Sequence, residues 1–307
     1  MPVNALRYFD AGMTALSTAY LIMAHRQPSH LAKLIEKLDS STCMFFIHID
    51  AKVDDSAFKQ LLLAQKNIVF IDHRHTVTWA GFSQVEATLA LVHAALSFYA
   101  PFHRFCLLSG ADFPLKSNSH IAAEFSSAKE FLRVDRKIGA SEDNSHSRKV
   151  CFYWYIDAAN KARSGTGPRK PYNKIALYQG AQWWALTREC IEYILQFLAA
   201  NPRYLSFFKY VHSPDEIFFH SIVKDSPFAS RITHDFERAA DFVEYLRSNE
   251  HGCHYIDWNA TGEPRLPKVL DLADLESLLD CEALFARKFD NARSAELIAA
   301  LEGTLAR

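Results

Sequence analysis

The chain has 307 residues, and its 34 Lys and Arg side chains nearly balance its 35 Asp and Glu side chains. This length permits one large domain or two moderate ones, and the balanced charge argues against a nucleic-acid partner, which would require a basic field. The six cysteines are widely spaced without a Cys-x-x-Cys pair, which predicts free thiols in a reducing compartment.

The first residues do not resemble a targeting segment. Residues 1–28 lack the basic end, the long apolar core and the small-residue cleavage site of a secretory signal. No later stretch reaches about 18 uncharged apolar residues, so the sequence predicts no membrane-spanning helix. We therefore expect a cytoplasmic protein, for which peripheral association with a membrane stays open.

The first half of the chain alternates short apolar runs with helical periodicity. The runs are too short for stable helices and are separated by polar turns, which is typical of buried strands. They lie at Ala19–Met23, Met44–Ile49, Asn67–Ile71 and Arg104–Leu108. Helices are predicted at Ser29–Leu38 and Ser83–Phe98, and the second begins with a capping box formed by Ser83 and Glu86.

This alternation of strands and helices predicts the α/β class, with a parallel, Rossmann-type nucleotide-binding sheet. In such sheets, ligands lie beyond the carboxyl ends of the strands. The rule selects His25 and Arg26 after the first strand, Asp50 after the second, and residues 109–112 after the fourth.

The second half is richer in loops and helices. Two polar stretches, Lys137–Lys149 and Asn160–Lys174, are candidates for substrate-facing loops. The elements predicted after them are a strand at Gln182–Leu186, helices at Arg188–Leu198 and Asp215–Val223, and a helical, amphipathic tail from Asp271. Because no repeat or linker is present, we expect residues 1–307 to form a single compact domain with a helical C-terminal part.

Common metal-binding and phosphate-binding motifs are missing from the sequence. It contains no Asp-x-Asp, P-loop, G-x-G-x-x-G or G-x-S-x-G motif. Asp50 and Asp112 follow predicted strands, but each supplies a single carboxylate, which is weak for Mg²⁺ or Mn²⁺. We therefore predict neither a catalytic metal nor another cofactor.

Two features can supply chemistry. In the sequence Ser-Pro-Asp-Glu at 213–216, Ser213 and Glu216 form a capping box at a helix start, but the same glutamate can also act as a base. The second feature is a basic cluster near the C-terminus, made up of Arg265, Lys268, Arg287 and Lys288. This cluster is either a solvated face or a site that stabilises a diphosphate leaving group where a metal is absent.

Six segments, taken together and in order, resemble the core-2/I-branching N-acetylglucosaminyltransferase and peptide O-xylosyltransferase family. They are TVTWAGFSQVEATL (76–89), LLSGADFPLKS (107–117), GAQWWALTREC (180–190), SPDEIFFHSIV (213–223), YIDWN (255–259) and FARKFD (285–290). The resemblance implies a GT-A-like nucleotide-sugar fold, an inverting mechanism and no metal requirement. It also implies a UDP-sugar co-substrate and an acceptor hydroxyl on a glycan or a peptide.

The resemblance implies roles for individual charged residues. By position, Glu216 matches the catalytic base, and Lys288 matches the lysine that meets the donor diphosphate, with Arg287 beside it. The spacing of the branching enzymes places a second basic contact on Arg265, whereas the spacing of the xylosyltransferases places it on Lys268. Both assignments stay open.

Other positions match the nucleotide and acceptor pockets of the family. The uridine side is matched by His25, Asp50 and Trp79. On the acceptor side, Trp258 matches a tryptophan of the branching enzymes, and Trp183 matches one of the xylosyltransferases. Those xylosyltransferases have an aspartate before this tryptophan, whereas this chain has Gln182, so the identity of the acceptor stays open.

The resemblance divides the chain into a nucleotide-binding half, about 19–130, and an acceptor and catalytic half, about 131–307. Animal members carry an anchor, a stem and disulfides that are not seen here, so we expect a bacterial-type cytoplasmic member. GlcNAc and xylose both stay open as the transferred sugar. One alternative is a non-catalytic nucleotide-sugar or carbohydrate-binding partner in polysaccharide assembly. Another is a hydrolase with paired carboxylates, but we expect Asp215 to point away from Glu216's site.

Overall fold

The computed structural model describes residues 17–99, 101–139, 145–158, 166–170, 172–238, 249–258 and 266–305. The strands are β1 (Thr18–Ala24), β2 (Cys43–Ile49), β3 (Ile68–Phe70), β4 (Arg104–Ser109), β5 (Asp112–Pro114), β6 (Glu130–Lys137), β7 (Phe152–Tyr153), β8 (Thr166–Pro168), β9 (Tyr178–Gly180), β10 (Ala185–Thr187), β11 (Ile232–Asp235), β12 (Glu250–His251), β13 (His254–Ile256) and β14 (Phe285–Arg287). The α-helices are α1 (Pro28–Leu38), α2 (Ser56–Leu61), α3 (Ser83–Leu96), α4 (Asn118–Phe125), α5 (Ser145–Cys151), α6 (Arg188–Ala200), α7 (Pro202–Phe208), α8 (Phe218–Lys224), α9 (Leu275–Asp280) and α10 (Ala295–Leu305).

Strand β1 lies at the centre of the main sheet. It pairs in parallel with β2 on one side and with β4 on the other, and β3 pairs in parallel with β2. The strand order therefore reverses at β1: β2 and β3 are added on one side of it and β4 on the other. The carboxyl ends of β1, β2 and β4 meet at one edge of the sheet. Such a reversal leaves a crevice for ligands. These strands, with α1 and α3, confirm the predicted α/β class and Rossmann-type arrangement.

The later strands make the sheet mixed. Strand β10 is antiparallel to both β4 and β6, and β11 is parallel to β6 at the end of the order β11-β6-β10-β4-β1-β2-β3. The strand predicted at Gln182–Leu186 begins only at Ala185. Trp184 still accepts a hydrogen bond from Leu107 N at 2.8 Å, and the residues before it lie at the edge where the parallel strands end.

A second sheet, in the order β12-β13-β14-β5, contains a stretch that the sequence predicted to be helical. Strand β14 lies between β13 and β5, and its residues Phe285 and Ala286 are buried. The prediction of a helical tail from Asp271 is therefore wrong for this stretch, whereas α9 and α10 confirm helices on either side of it. Pairing with two strands that are distant in the sequence overrides the local preference.

The largest buried cluster includes residues from Ala19 in β1 to Ile256 in β13. It therefore combines apolar side chains from both predicted halves of the chain, and the division into halves stays a prediction. All six cysteines are free thiols. Within the described ranges, no helix has the length and apolar character that a membrane crossing requires.

The turn that leads into α3 carries Trp79 and is fixed by a residue from a distant segment. Asp157 accepts hydrogen bonds from Ser83 N at 3.0 Å and Ser83 Oγ at 2.7 Å, while Ser83 Oγ accepts one from Thr78 N at 2.8 Å. The predicted capping box of α3 is therefore wrong, because the carboxylate of Asp157 satisfies the helix start instead. A Cβ atom at Gly81 would lie 2.2 Å from Asp157 Oδ1, so a larger residue there would displace the carboxylate that Ser83 binds.

We expect Asp157→Ala to lower the free energy of unfolding by about 1–2 kcal/mol, because the helix start loses its acceptor. Urea denaturation measures this change. Asp157→Asn is the matched control, since it keeps one side-chain oxygen and should lose less. A loss for Asp157→Ala no larger than that of the Asn variant would contradict the capping role.

Candidate active site

The carboxyl ends of β1, β2 and β4 border a cavity of about 530 Å³. Its other walls come from the turn before α3, the segment before α8 and the residues around β14. The predicted site residues that line it are His25, Asp50, Trp79, Gln182, Trp183, Glu216, Trp258, Arg287 and Lys288. A larger depression of about 990 Å³, whose lining includes Lys116, Arg231 and Glu282, contains none of these residues.

Glu216 ends a short 3-10 turn that precedes α8. The preceding Ser213 is in the left-handed region (φ 50°, ψ 55°), and its hydroxyl contacts His212 Nδ1 at 3.0 Å rather than a helix N–H. The predicted capping box of Ser213 and Glu216 is therefore wrong, and the helix begins later than predicted, at Phe218. Ser213 N donates to Ala80 O at 2.9 Å, which connects this turn with the turn before α3.

Two donors hold one oxygen of the Glu216 carboxylate. Lys149 Nζ donates to Oε2 at 2.6 Å, and Gln179 Nε2 donates to the same oxygen at 2.9 Å. No hydrogen bond from the described part of the chain reaches Oε1, so this oxygen can accept one from a bound molecule. Lys149 ends one of the polar stretches that the sequence selected as substrate-facing, whereas no sequence signal singled out Gln179.

Two further carboxyl groups, those of Asp135 and Asp215, line the same cavity. Asp215 is 7% exposed; burial, followed by the charge of Glu216, raises its pKa to about 7. Its Oδ1 atom is buried, and no described residue forms a hydrogen bond with it. The expectation that Asp215 points away from the site is wrong, because the segment is a 3-10 turn after a left-handed residue and not the start of a regular helix.

Another part of the wall is cationic. Arg287 and Lys288, at the end of β14, line the cavity, and Arg26 lies close enough to act on both. Burial lowers the pKa of Lys288, and the positive charges of Arg26 and Arg287 lower it further. Because neighbouring cations repel one another, this arrangement favours an anionic ligand. The sequence pointed to Arg26 as a strand-end residue but assigned it no role.

A buried carboxylate forms an ion pair with Arg287. Asp112 Oδ1 lies 3.4 Å from Arg287 Nη1, and the guanidinium stacks on the ring of Trp183 at 4.3 Å from its centre. The other carboxylate oxygen of Asp112 accepts a hydrogen bond from Ser109 N at 2.7 Å and lies 3.1 Å from His254 Nε2. Asp112, which the sequence suggested only as a weak metal ligand, therefore positions a cation of the cavity wall.

Of the two remaining predicted basic contacts, the structure describes only Lys268. Lys268 does not line the cavity: its Nζ donates to Asp274 Oδ1 at 2.6 Å, and this hydrogen bond raises the pKa of Lys268. Arg265 lies outside the described residues. The choice between the two therefore stays open.

The predicted nucleotide side lies at the ends of β1 and β2. Asp50 N donates to Ala24 O at 2.9 Å, and the Asp50 carboxylate accepts from Lys52 N at 3.0 Å. Trp79 is 62% exposed, so its ring is available for stacking. His25 also lines the cavity and is exposed.

The predicted acceptor residues differ in what they can offer. Trp183 is 7% exposed and its ring contacts Arg287, so little of its surface is open to a ligand. Trp258 is 37% exposed and presents an accessible ring. Gln182 Nε2 donates to Gln84 Oε1 at 3.3 Å, so two amide side chains meet at this wall.

The fold and the cavity define an α/β protein with a ligand site at the switch point of its parallel strands, lined by both carboxylates and cations. In the stretches that the structure describes, no group of three or more His, Cys, Asp or Glu side chains could hold a metal ion. The chain belongs to the Core-2/I-Branching enzyme family, whose model matches residues 18–276.

The relatives of this chain are distant in sequence. It is 25% identical over 286 residues to the bovine (Bos taurus) beta-1,3-galactosyl-O-glycosyl-glycoprotein beta-1,6-N-acetylglucosaminyltransferase, covering 89% of this chain and 65% of that protein. It is 25% identical over 294 residues to mouse (Mus musculus) xylosyltransferase 2, covering 92% of this chain and 33% of that protein. The chain thus spans less than two thirds of either relative.

One solved structure that resembles the chain is the galactosyltransferase LgtC in complex with donor and acceptor sugar analogs. The match covers 95% of this chain and 97% of LgtC, with 9% identity. Its TM-score of 0.39 is too low to support an argument about the site.

The raised pKa of Asp215 has a consequence for stability. Because the folded-state pKa, about 7, exceeds the ordinary value of 3.8, the folded protein binds more protons than the unfolded chain between these values. The contribution of Asp215 to the free energy of unfolding therefore falls as the pH rises through this range. We expect Asp215→Asn to gain stability relative to the wild type between about pH 5 and about pH 8.

Urea denaturation at both pH values measures the difference. Asp280→Asn, which changes an exposed carboxyl group, serves as the control and should leave the pH dependence unchanged. A parallel pH dependence for the wild type and Asp215→Asn would contradict the raised pKa.

Proposed function

We propose that this chain is an inverting, metal-independent glycosyltransferase that moves a sugar, either GlcNAc or xylose, from a UDP-sugar to a hydroxyl group of a glycan or a serine. The observation that carries the proposal is a single cavity, at the switch point of the sheet, lined by Glu216 and by Arg287 and Lys288. Membership of the Core-2/I-Branching enzyme family supports sugar transfer as the reaction.

Glu216 acts as the base in this proposal. The acceptor hydroxyl donates its proton to Oε1, the oxygen that Lys149 and Gln179 leave open. A bond forms between the acceptor oxygen and C1 of the donor sugar, while the bond between C1 and the diphosphate oxygen breaks. Attack from the face opposite the leaving group inverts the configuration at C1. The two donors on Oε2 hold the carboxylate in one direction, so that the proton acceptor is positioned before the substrate binds.

The cationic wall receives the leaving group. As the bond to C1 breaks, negative charge develops on the diphosphate, and Lys288 and Arg287 stabilise it, with Arg26 nearby. Asp112 holds Arg287 in place from the buried side, at 3.4 Å. In this scheme the side chains provide the positive charge that a divalent cation could otherwise supply.

The ends of β1 and β2 hold the nucleotide in this proposal. The Asp50 carboxylate can accept the N–H of the uracil ring, and His25 and Trp79 border the same space. Trp258 and Gln182 contact the acceptor. Free cysteines are consistent with action in a reducing compartment such as the cytoplasm.

Two alternative functions predict different results in the same assay. A non-catalytic binding protein would bind a UDP-sugar without releasing UDP. A hydrolase would use Asp215 as a second acid beside Glu216, since both line the cavity, and would release UDP without an acceptor. UDP release from a panel of donors, with and without acceptors, separates the three reactions.

We expect Glu216→Gln to reduce turnover by about 10²–10⁴-fold, because an amide cannot accept the acceptor's proton. The affinity for UDP, measured by calorimetry, should stay close to that of the wild type. Glu189→Gln, on the partly exposed first turn of α6, is the control and should keep full activity. Full turnover by Glu216→Gln would eliminate the residue as the base.

We expect Lys288→Ala to reduce kcat/KM by about 10²–10³-fold, because the leaving group loses a positive charge. Treatment of the wild type with EDTA should leave its rate unchanged. Lys268→Ala is the informative comparison: Lys268 is paired with Asp274 and does not line the cavity, so this variant should keep most of its activity if Arg265 is the second diphosphate contact. If EDTA abolished turnover and added Mn²⁺ restored it, the metal-independent mechanism would be wrong.

A further inference from the structure

Beside the cavity, the surface carries aromatic rings that the proposed chemistry does not use. We define the aromatic strip as Tyr153, Trp154, Tyr155, Tyr210 and His212. The three tyrosines are 39%, 37% and 37% exposed, respectively. Large aromatic side chains are costly to leave in contact with water, and a contiguous exposed group of them marks an interaction surface.

The rings of the aromatic strip are held in fixed positions. Tyr153 and Tyr155 are nearly parallel, with an interplanar angle of 18° and centres 6.4 Å apart, and Tyr210 lies edge-on to both at 5.7 Å and 5.3 Å. The guanidinium of the buried Arg169 lies 5.3 Å from the ring centre of Tyr153. Trp154 N donates to Tyr210 O at 3.1 Å. The binding of a ligand that stacks on these rings would therefore cost little side-chain conformational entropy.

The aromatic strip continues into the cavity at the base. The ring of His212 lies 4.8 Å from that of Trp154 and 6.0 Å from that of Trp79, which lines the cavity. His212 N donates at 3.1 Å to the backbone oxygen of Lys149, the residue whose ammonium group holds Glu216. The strip therefore borders the cavity at Trp79, and its His212 is joined through the backbone to the residue that holds Glu216.

We propose that the aromatic strip binds the non-reacting sugar units of a neutral oligosaccharide acceptor. This inference rests on the proposed glycosyltransferase function and narrows its acceptor to a glycan of several units. Pyranose rings present apolar C–H faces with hydroxyl groups at their edges, which matches exposed tyrosine rings with an apolar face and a polar end.

A membrane surface is the competing occupant. A membrane-binding face combines basic residues with a stripe of Trp, Phe and Leu side chains inserted into the lipid. The exposed side chains of the strip are tyrosines, whereas the exposed leucines of the described chain, at positions 61, 63, 266, 272 and 279, belong to other segments. The strip contains neither leucine nor phenylalanine, and it contacts the cavity at Trp79; together these features favour a glycan.

Calorimetry with chito-oligosaccharides and galacto-oligosaccharides, each as a monosaccharide and as a pentasaccharide, tests the proposal without requiring turnover. We expect at least one pentasaccharide to bind the wild type more tightly than its monosaccharide. The double variant Tyr153→Ala/Tyr210→Ala should lose about 10-fold of the pentasaccharide affinity and none of the UDP affinity. Tyr153→Phe/Tyr210→Phe should keep the pentasaccharide affinity, because it keeps the rings.

Tyr99→Ala, which removes a tyrosine 51% exposed elsewhere on the surface, is the matched control and should bind like the wild type. The proposal is overturned if no pentasaccharide binds more tightly than its monosaccharide, or if the double Ala variant keeps the wild-type affinity. It is also overturned if vesicles of phosphatidylglycerol and phosphatidylcholine sediment the wild type but not the double Ala variant. If the wild type binds the oligosaccharide but transfers no sugar to it, the result would count against the proposed function alone.

Discussion

The parallel pairing of β1 with β2 on one side and β4 on the other is the constraint on which the site depends. Backbone hydrogen bonds hold the three strand ends together: Asp50 N donates to Ala24 O at 2.9 Å, and Gly110 N donates to Met23 O at 2.9 Å. Since the strands run in the same direction, the residues that directly follow them lie at one edge of the sheet. The cavity is the space that this edge leaves open.

Around that edge, charges are held by partners from other elements. Glu216 receives hydrogen bonds from Lys149 and Gln179, and Arg287 is anchored by Asp112. A charged group that leaves water needs such partners, because an unpaired one would be neutralised or would destabilise the fold. The two hydrogen bonds also give the Glu216 carboxylate a fixed direction, and preorganised groups of this kind are what a site that stabilises developing charge requires.

The turn before α8 connects the charged groups of the cavity with the outer surface. Ser213 joins it to the turn that carries Trp79, and His212 joins it to the segment of Lys149 and to the ring of Trp154. The proposed base and the aromatic strip are therefore parts of one connected structure. A glycan acceptor bound along the strip would contact His212, whose backbone N–H is hydrogen-bonded to Lys149, the residue that holds the carboxylate.

The sequence by itself determined the four parallel strands, helices α1 and α3, the strand-end residues His25 and Asp50, and the family resemblance that pointed to Glu216 and Lys288. These depend on periodicity, on chain order and on short motifs, all of which are local. Only the tertiary structure decided what the capping residues do: Ser83 is bound by Asp157, and Glu216 by Lys149.

It also decided that the tail contains β14, that Asp215 faces the cavity and that Asp112 holds Arg287. The physical reason is that hydrogen bonds and ion pairs between distant residues outweigh local preferences of about 1 kcal/mol or less per residue. A sequence pattern reports only those local preferences.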